Sequence, residues 1–263
     1  MKSVIGSSRT GLVLGIILVS TFLAEAEQVE LKFVVKESEV PETLSKFSLR
    51  DDGDARNIYF LETDDMGLSR KGIILRLREN PGKRDDSTVK LRGKQAANLP
   101  DAEFPEIEKN GQESKAEKDK TIGGNEARSF SITEKQREGE VAELQKGKRE
   151  LKELFSDDQE RLLHKFAQGV DWQRAVLLGP VKTEKWKLKP EGFPRELTAE
   201  LWHLPKCDQE QMLEFSTKVE ESDAAEVERS LLELMKKKEV ARSSAPESKT
   251  QAVLKCLLNQ GRR

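Results

Sequence analysis

The chain has 263 residues, of which 36% are charged and 35% belong to the apolar set, and its formal net charge is −2 at pH 7. A chain of this length can bury a sizeable core in one large or two small domains. The lack of a global basic excess argues against nucleic-acid binding by counterion release, so we expect no nucleic-acid partner.

The first 26 residues have the pattern of an export signal. Lys2 and Arg9 precede an apolar run over 11–23, and Ala24-Glu25-Ala26 matches the small-x-small cleavage pattern. The run is too short and too poorly flanked for a spanning helix, with an uncleaved anchor as the alternative. We therefore expect a secreted, periplasmic or otherwise exported protein that touches the membrane only if the signal is retained. Cleavage removes two basic residues and one acidic residue, which changes the formal charge from −2 to −3.

Four segments alternate charged and apolar residues with the period of a β-strand. They cover 30–33, 74–78, 88–92 and 213–218. Because side chains two apart in a strand share a face, each segment is charged on one side and apolar on the other. On an open sheet the charged face would be solvated, whereas in a barrel covered by helices it would line a wet interior. The pattern alone leaves both arrangements open.

The rest of the chain divides into strand and helix patterns. Residues 105–127 carry almost no apolar side chains, which predicts a charged, solvated loop. Apolar residues then recur at helical spacing, which predicts a helical segment near 133–166. Further strands are predicted over 57–63, 181–188 and 196–202, and further helices over 223–240 and 249–259. The order of strands, helices, strands and helices favours an α+β fold in which two similar halves close one barrel.

Several short motifs occur in an order known from one family. Gln28-Val29-Glu30-Leu31-Lys32 corresponds to an opening Glu-x-Glu-x-Lys strand, and Leu75-Arg76-Leu77-Arg78 to a Leu-Arg-x-Arg strand. Thr88-Val89-Lys90 corresponds to the Thr-x-Lys strand that follows. The other similar stretches are 59–63, 181–185, 196–200, 213–216 and Ser248-Lys249-Thr250. In order and spacing the chain resembles the CYTH domain, also called the triphosphate tunnel metalloenzyme superfamily.

This resemblance implies that residues 27–263 form an eight-stranded antiparallel tunnel-like barrel with flanking helices. It also implies a triphosphate or polyphosphate ligand held by basic side chains, with Mg²⁺ or Mn²⁺ held by clustered carboxylates. Fixed cations suit a triphosphate because a desolvated site must neutralise its charge. The implied phosphate-binding residues are Lys32, Arg76, Arg78, Lys90, Lys182 and Lys185. The implied metal ligands are Glu30, Glu200 and Glu214.

Three positions depart from the family pattern. Gln28 stands where the first Glu is expected, Ser216 replaces an acidic residue, and Glu184 replaces a basic one. Neutral amide and hydroxyl oxygens are poorer ligands for a hard cation than carboxylates. The chain is therefore either a metal-dependent triphosphatase or a degenerate tunnel that only binds a polyanion or a protein outside the cytoplasm. A third hypothesis, which does not use the family resemblance, is that the protein is an envelope scaffold with an interacting helix pair.

The two cysteines, Cys207 and Cys256, have no CxxC spacing, which argues against zinc and redox catalysis. An oxidising compartment would allow them to form a disulfide. The sequence does not decide whether they meet.

Overall fold

The computed structural model describes residues 28–50, 53–93, 96, 108–109, 111–124, 126–205, 207, 209–244 and 248–261. The export signal predicted for residues 1–26 lies outside this part of the chain. Within it, a single sheet carries strands β1 to β10. They are β1 (Gln28–Val34), β2 (Asp54–Glu62), β3 (Ile73–Glu79), β4 (Asp86–Arg92), β5 (Glu108–Lys109), β6 (Gln112–Thr121), β7 (Glu126–Lys135), β8 (Val176–Leu188), β9 (Leu197–His203) and β10 (Gln211–Glu220).

The sheet closes on itself. Its strand order is β1-β10-β9-β8-β2-β3-β4-β7-β6-β5, and an additional pairing joins β1 to β6. The β1–β6 pairing is parallel, whereas the other neighbouring strands pair antiparallel. The predicted tunnel barrel is thus confirmed. Its strand number is corrected from eight to nine, with the two-residue β5 appended to β6, and one pairing is parallel.

The charged loop predicted near 105–127 is wrong over most of its described length. Residues 112–121 form β6, one of the two strands that close the barrel, and β7 begins at Glu126. The strand was missed because it has charged side chains on both faces and therefore lacks the apolar alternation that marks a half-buried strand. Residues 105–107 lie outside the described part of the chain.

The helices lie between and after the strands. They are α1 (Val40–Lys46), α2 (Gly67–Arg70), α3 (Glu140–Gln145), α4 (Asp157–Ala167), α5 (Ala224–Lys237) and α6 (Lys249–Gly261), with single 3₁₀ turns at Glu37–Glu39, Leu151–Leu154 and Glu221–Asp223. The helical segment predicted near 133–166 is present, although 133–135 belong to β7. Ser156 caps α4 by accepting a hydrogen bond from the backbone amide of Gln159. No helix in the described part of the chain has the length and apolarity needed to span a membrane.

The apolar faces of the strands form the outside of the barrel and are covered by helices. Val227 and Leu231 of α5 pack in one cluster with the apolar residues of β1, β9 and β10. Leu162 and Leu163 of α4, with Val141 of α3, pack on β2, β3, β4 and β7 in a second cluster. Burial of such side chains contributes about 1.5–3 kcal/mol each, so these helices fix the apolar face outward. The charged faces are left to line the lumen.

Helix α6 packs at one end of the lumen. Its Val253 and Leu254 are buried in a third cluster with the inward-facing Phe60, Trp202 and Met212. The two cysteines, whose pairing the sequence does not decide, form a disulfide. It joins Cys207, between β9 and β10, to Cys256 of α6. An apolar, covalently tethered helix therefore bounds the charged part of the lumen.

Candidate functional site

The pairing register brings the charged faces of the strands into the lumen. Directly paired residues share a face, and Lys32 pairs with Ser216 while Glu200 pairs with Glu214. Arg76 and Glu200 influence each other's ionisation although β2 and β8 separate their strands in the sheet. These side chains therefore face one another across an enclosed space.

Asp119 of β6 is the centre of the first charged cluster. Its carboxylate is 2.6 Å from Lys32 Nζ, 3.3 Å from Lys90 Nζ and 3.7 Å from the Arg92 guanidinium. The side chain is only 1% exposed. Burial opposes its ionisation, but the nearby cations, Lys32 first, outweigh burial and lower the pKa of Asp119. Asp119 is therefore an ionised buried counterion for three basic residues.

The pKa values of Lys32 and Lys90 shift in opposite directions in this enclosed site. Burial disfavours the charged form of Lys32, but Glu30 and Asp119 outweigh burial and raise its pKa. For Lys90, burial prevails over Asp119 and lowers the pKa. A multiply charged anion near Lys90 would restore the stability of its ammonium form.

Three carboxylates of the first cluster fit a divalent cation. Glu30, Glu117 and Asp119 each offer one oxygen, and these oxygens lie within 4.8 Å of one another. Hard cations such as Mg²⁺ prefer such oxygen donors. Lys32 Nζ is 3.0 Å from Glu30, and Lys218 contacts Glu117, so cations of the chain already balance part of this charge. Of the three predicted metal ligands, only Glu30 belongs to this group.

The other two predicted metal ligands hold a lysine. Glu200 and Glu214 lie directly opposite each other on β9 and β10. Lys249 Nζ is 2.7 Å from Glu200 and 3.0 Å from Glu214, and it lies 4.6 Å from the Trp202 ring centroid. Burial opposes ionisation of Glu200, but Lys249 outweighs it and lowers the pKa to about 2. The structure thus divides the predicted metal ligands between two clusters.

Arginine residues of β3 form a third group. Arg78 Nε donates to Asp86 at 2.7 Å, so its charge is compensated. The Arg76 guanidinium instead reaches only the Thr88 hydroxyl at 3.4 Å, and its Nε is buried with no partner among the described residues. Burial, and then the charge of Arg78, lowers the pKa of Arg76 to about 10. Arg76 is therefore a desolvated cation that has no anionic partner among the described residues.

The two predicted lysines of β8 lie on opposite faces. Lys185 pairs with Glu200 and faces the lumen, where burial, and then Arg56, lowers its pKa. Lys182 pairs with His203 and is exposed, on the face opposite Lys185. The structure therefore brings Lys32, Arg76, Arg78, Lys90 and Lys185 to the lumen and leaves Lys182 outside.

Several lumen residues were not predicted as site residues. Glu117 and Asp119 lie on β6, for which the sequence predicts a loop, and their spacing of two residues is the signal that places them on one face. Lys249 belongs to the family-like stretch Ser248-Lys249-Thr250, for which the sequence predicts no site role. Arg56 pairs in register with the inward-facing Thr183, and no motif marked it.

Comparison with solved structures finds the same fold. A Bacillus halodurans protein assigned provisionally as an adenylate cyclase is 14% identical, with a TM-score of 0.55 over 86% of this chain and 96% of its own. HpAC1 from Hippeastrum, also assigned provisionally as an adenylyl cyclase, was described as having a dominant triphosphatase activity. It is 16% identical, with a TM-score of 0.55 over 87% of this chain and 95% of its own. No protein-family model matches the sequence, and the search of curated proteins found no match.

These similarities define the class of fold. The chain has a closed tunnel barrel with flanking helices, and the resemblance to CYTH-type proteins is confirmed at this level. Identities near 15% carry no further information about activity, which depends on the lumen residues themselves.

Proposed function

We propose that the protein binds a triphosphate compound or inorganic polyphosphate in the barrel lumen. The observation that carries the proposal is the desolvated Arg76, whose buried Nε has no partner among the described residues. Lys90 and Lys185 are half-buried cations of the lumen, and burial lowers the pKa of each. Exposed surface lysines would not have this property, so the lumen is suited to an anion that carries several charges. The triphosphatase activity described for HpAC1 supports the same ligand class.

The proposal includes a divalent cation, Mg²⁺ or Mn²⁺, held by Glu30, Glu117 and Asp119. When bound, such a cation would polarise a phosphoryl oxygen and neutralise its charge. The chain's own residues do the rest of the binding. Arg76 and Arg78 offer planar guanidinium donors to phosphate oxygens, and Lys90 and Lys185 act as point charges.

The matched lysines of β8 test where the ligand binds. We expect Lys185→Met to weaken tripolyphosphate binding by about 30-fold, since a charge-assisted hydrogen bond contributes about 2 kcal/mol. Lys182→Met removes the same charge from the outer face and should leave the affinity within about twofold of the parent. Isothermal titration calorimetry with tripolyphosphate measures both. Equal losses in the two variants would place the ligand outside the lumen.

A second variant decides between enzyme and binder. Ser216 pairs with Lys32 on the face that carries Glu214, and Gln28 lies on the face that carries Glu30. If the tunnel is degenerate, the parent should release little phosphate from tripolyphosphate, and Gln28→Glu with Ser216→Glu should add metal-dependent release at similar substrate affinity. An active parent that gains nothing from these changes would identify the protein as a triphosphatase. Phosphate release is measured with malachite green, with and without Mg²⁺ or Mn²⁺.

A non-catalytic tunnel that binds a polyanion is the second candidate function. It is favoured by the occupancy of Glu200 and Glu214 by Lys249, because these carboxylates are not free for a metal in this structure. Saturable binding of tripolyphosphate, with no phosphate release in the presence of either Mg²⁺ or Mn²⁺, would support this function.

A further inference from the structure

Lys249 is positioned as a cation built into the lumen. It is the first residue of α6, its side chain is 13% exposed, and its ammonium lies between the carboxylates of Glu200 and Glu214. The Trp202 ring adds a favourable cation–π contact at 4.6 Å. Two carboxylates facing each other on neighbouring strands repel unless a cation lies between them. Lys249 supplies this cation from the chain itself.

The disulfide connects the helix that carries the lysine to the strands that carry the carboxylates. Cys207 lies in the connection between β9 and β10, and Cys256 lies on α6 with a Cα–Cα distance of 5.7 Å to Cys207. Cys256 follows Lys249 by seven residues, about two turns, so both lie on one side of the helix. The disulfide therefore restrains the part of α6 that holds Lys249 in the lumen.

Apolar packing adds a second restraint. Val253 and Leu254, which lie between Lys249 and Cys256, are 0% and 2% exposed and pack on Trp202 and Met212. If the start of α6 moved away from the lumen, Val253 and Leu254 would become exposed. Otherwise the Lys249 side chain alone would have to leave Glu200 and Glu214. Removing one partner of a buried ion pair leaves the other charge uncompensated, so the lysine is a strong competitor for this position.

We propose that Lys249 occupies the Glu200–Glu214 pair in place of a divalent cation and restricts the lumen to one metal ion, at Glu30, Glu117 and Asp119. The inference rests on the proposed function for the role of that metal, although its own claim concerns only the second position. It makes Lys249 the residue that determines how many divalent ions the tunnel holds.

Counting bound Mn²⁺ tests the inference without any phosphate ligand. Loss of the free Mn²⁺ signal in electron paramagnetic resonance gives the number of ions bound to the purified full chain. We expect one ion for the parent and two for Lys249→Met, with the affinity of the second position raised at least about tenfold. Lys249→Arg keeps the cation, and Lys255→Met removes an exposed lysine from the same helix, so both should bind one ion.

The outcomes separate this inference from the proposed function. Two ions in the parent, or no additional ion in Lys249→Met, would overturn the inference. No ion in the parent but one in Lys249→Met would support the inference and refute the metal site of the proposed function. If Lys249→Met does not fold, the parent alone is counted: two bound ions would overturn the inference, and one ion or none would support it.

Discussion

Replacing Asp119 with Asn is expected to lower the free energy of unfolding by about 3–5 kcal/mol at pH 7, because it removes the buried carboxylate that three cations of the lumen share. Asp119 is 1% exposed and lies within 3.7 Å of Lys32, Lys90 and Arg92. Asn keeps the size of the side chain but not its charge, so the loss measures the electrostatic role of the carboxylate. Urea unfolding followed by circular dichroism gives the difference between variant and parent.

The effect of this substitution should depend on pH in a defined direction. The pKa of Asp119 is lowered in the folded protein, so its contribution is fully present above the unfolded value of about 3.9. As the pH falls below that value toward the folded pKa, the parent loses this contribution. The difference in the free energy of unfolding between the parent and Asp119→Asn should therefore become smaller below about pH 4.

Glu113 provides the matched control on the same strand. Its side chain is 49% exposed and pairs with Lys115 at 2.7 Å. Surface ion pairs contribute about 0–1 kcal/mol, so Glu113→Gln should change the unfolding free energy little at any pH. A parent-like stability of Asp119→Asn at pH 7 would contradict the description of the cluster.

The second large effect is on ligand binding. We expect Arg76→Met combined with Lys185→Met to weaken tripolyphosphate binding by about 1,000-fold, from a loss of about 2 kcal/mol at each position. Neither residue forms an ion pair with a described carboxylate, and burial lowers both pKa values. Their charges are unfavourable in the ligand-free lumen, so thermal stability without ligand should be unchanged or higher.

Calorimetry and thermal denaturation of the same preparations separate the two effects. The control is Lys182→Met with Lys237→Met, which removes two exposed lysines from the outside of the barrel, one on β8 and one on α5. It should reduce affinity only through long-range electrostatics, and this reduction should disappear at high salt. A double variant that binds as tightly as the parent would show that Arg76 and Lys185 do not hold the phosphates. One that unfolds without ligand would show that the two charges stabilise the ligand-free fold.

The sequence predicted much of the barrel because alternation reports which side of a strand is apolar. In β3, Leu75 and Leu77 are buried on the outside while Arg76 and Arg78 face inward, as expected. The same argument fails for β6, because this strand carries charged side chains on both faces and the pattern does not show on which face Asp119 lies. Only closure of the sheet makes that strand a wall of the lumen.

The family resemblance named both Lys182 and Lys185 of β8, but alternation allows only one of them to face the lumen. They are three residues apart in one unbroken register with β2, where Asn57 pairs with Lys182 and Asp54 with Lys185, so their side chains lie on opposite faces. This is why Lys185 reaches the lumen and Lys182 does not. Lys249 was beyond prediction for another reason, since its place depends on how α6 packs on Trp202 and not on any strand pattern.

The charged faces of the strands form the lumen in which we propose that a triphosphate binds. A crystal structure of the protein with tripolyphosphate would show whether the ligand occupies that lumen. We expect the phosphates inside the barrel, with their oxygens in contact with Arg76, Arg78 and Lys185. Tripolyphosphate bound only on the outer surface, for example at Lys182, with Arg76 unchanged and without an anion, would contradict this account.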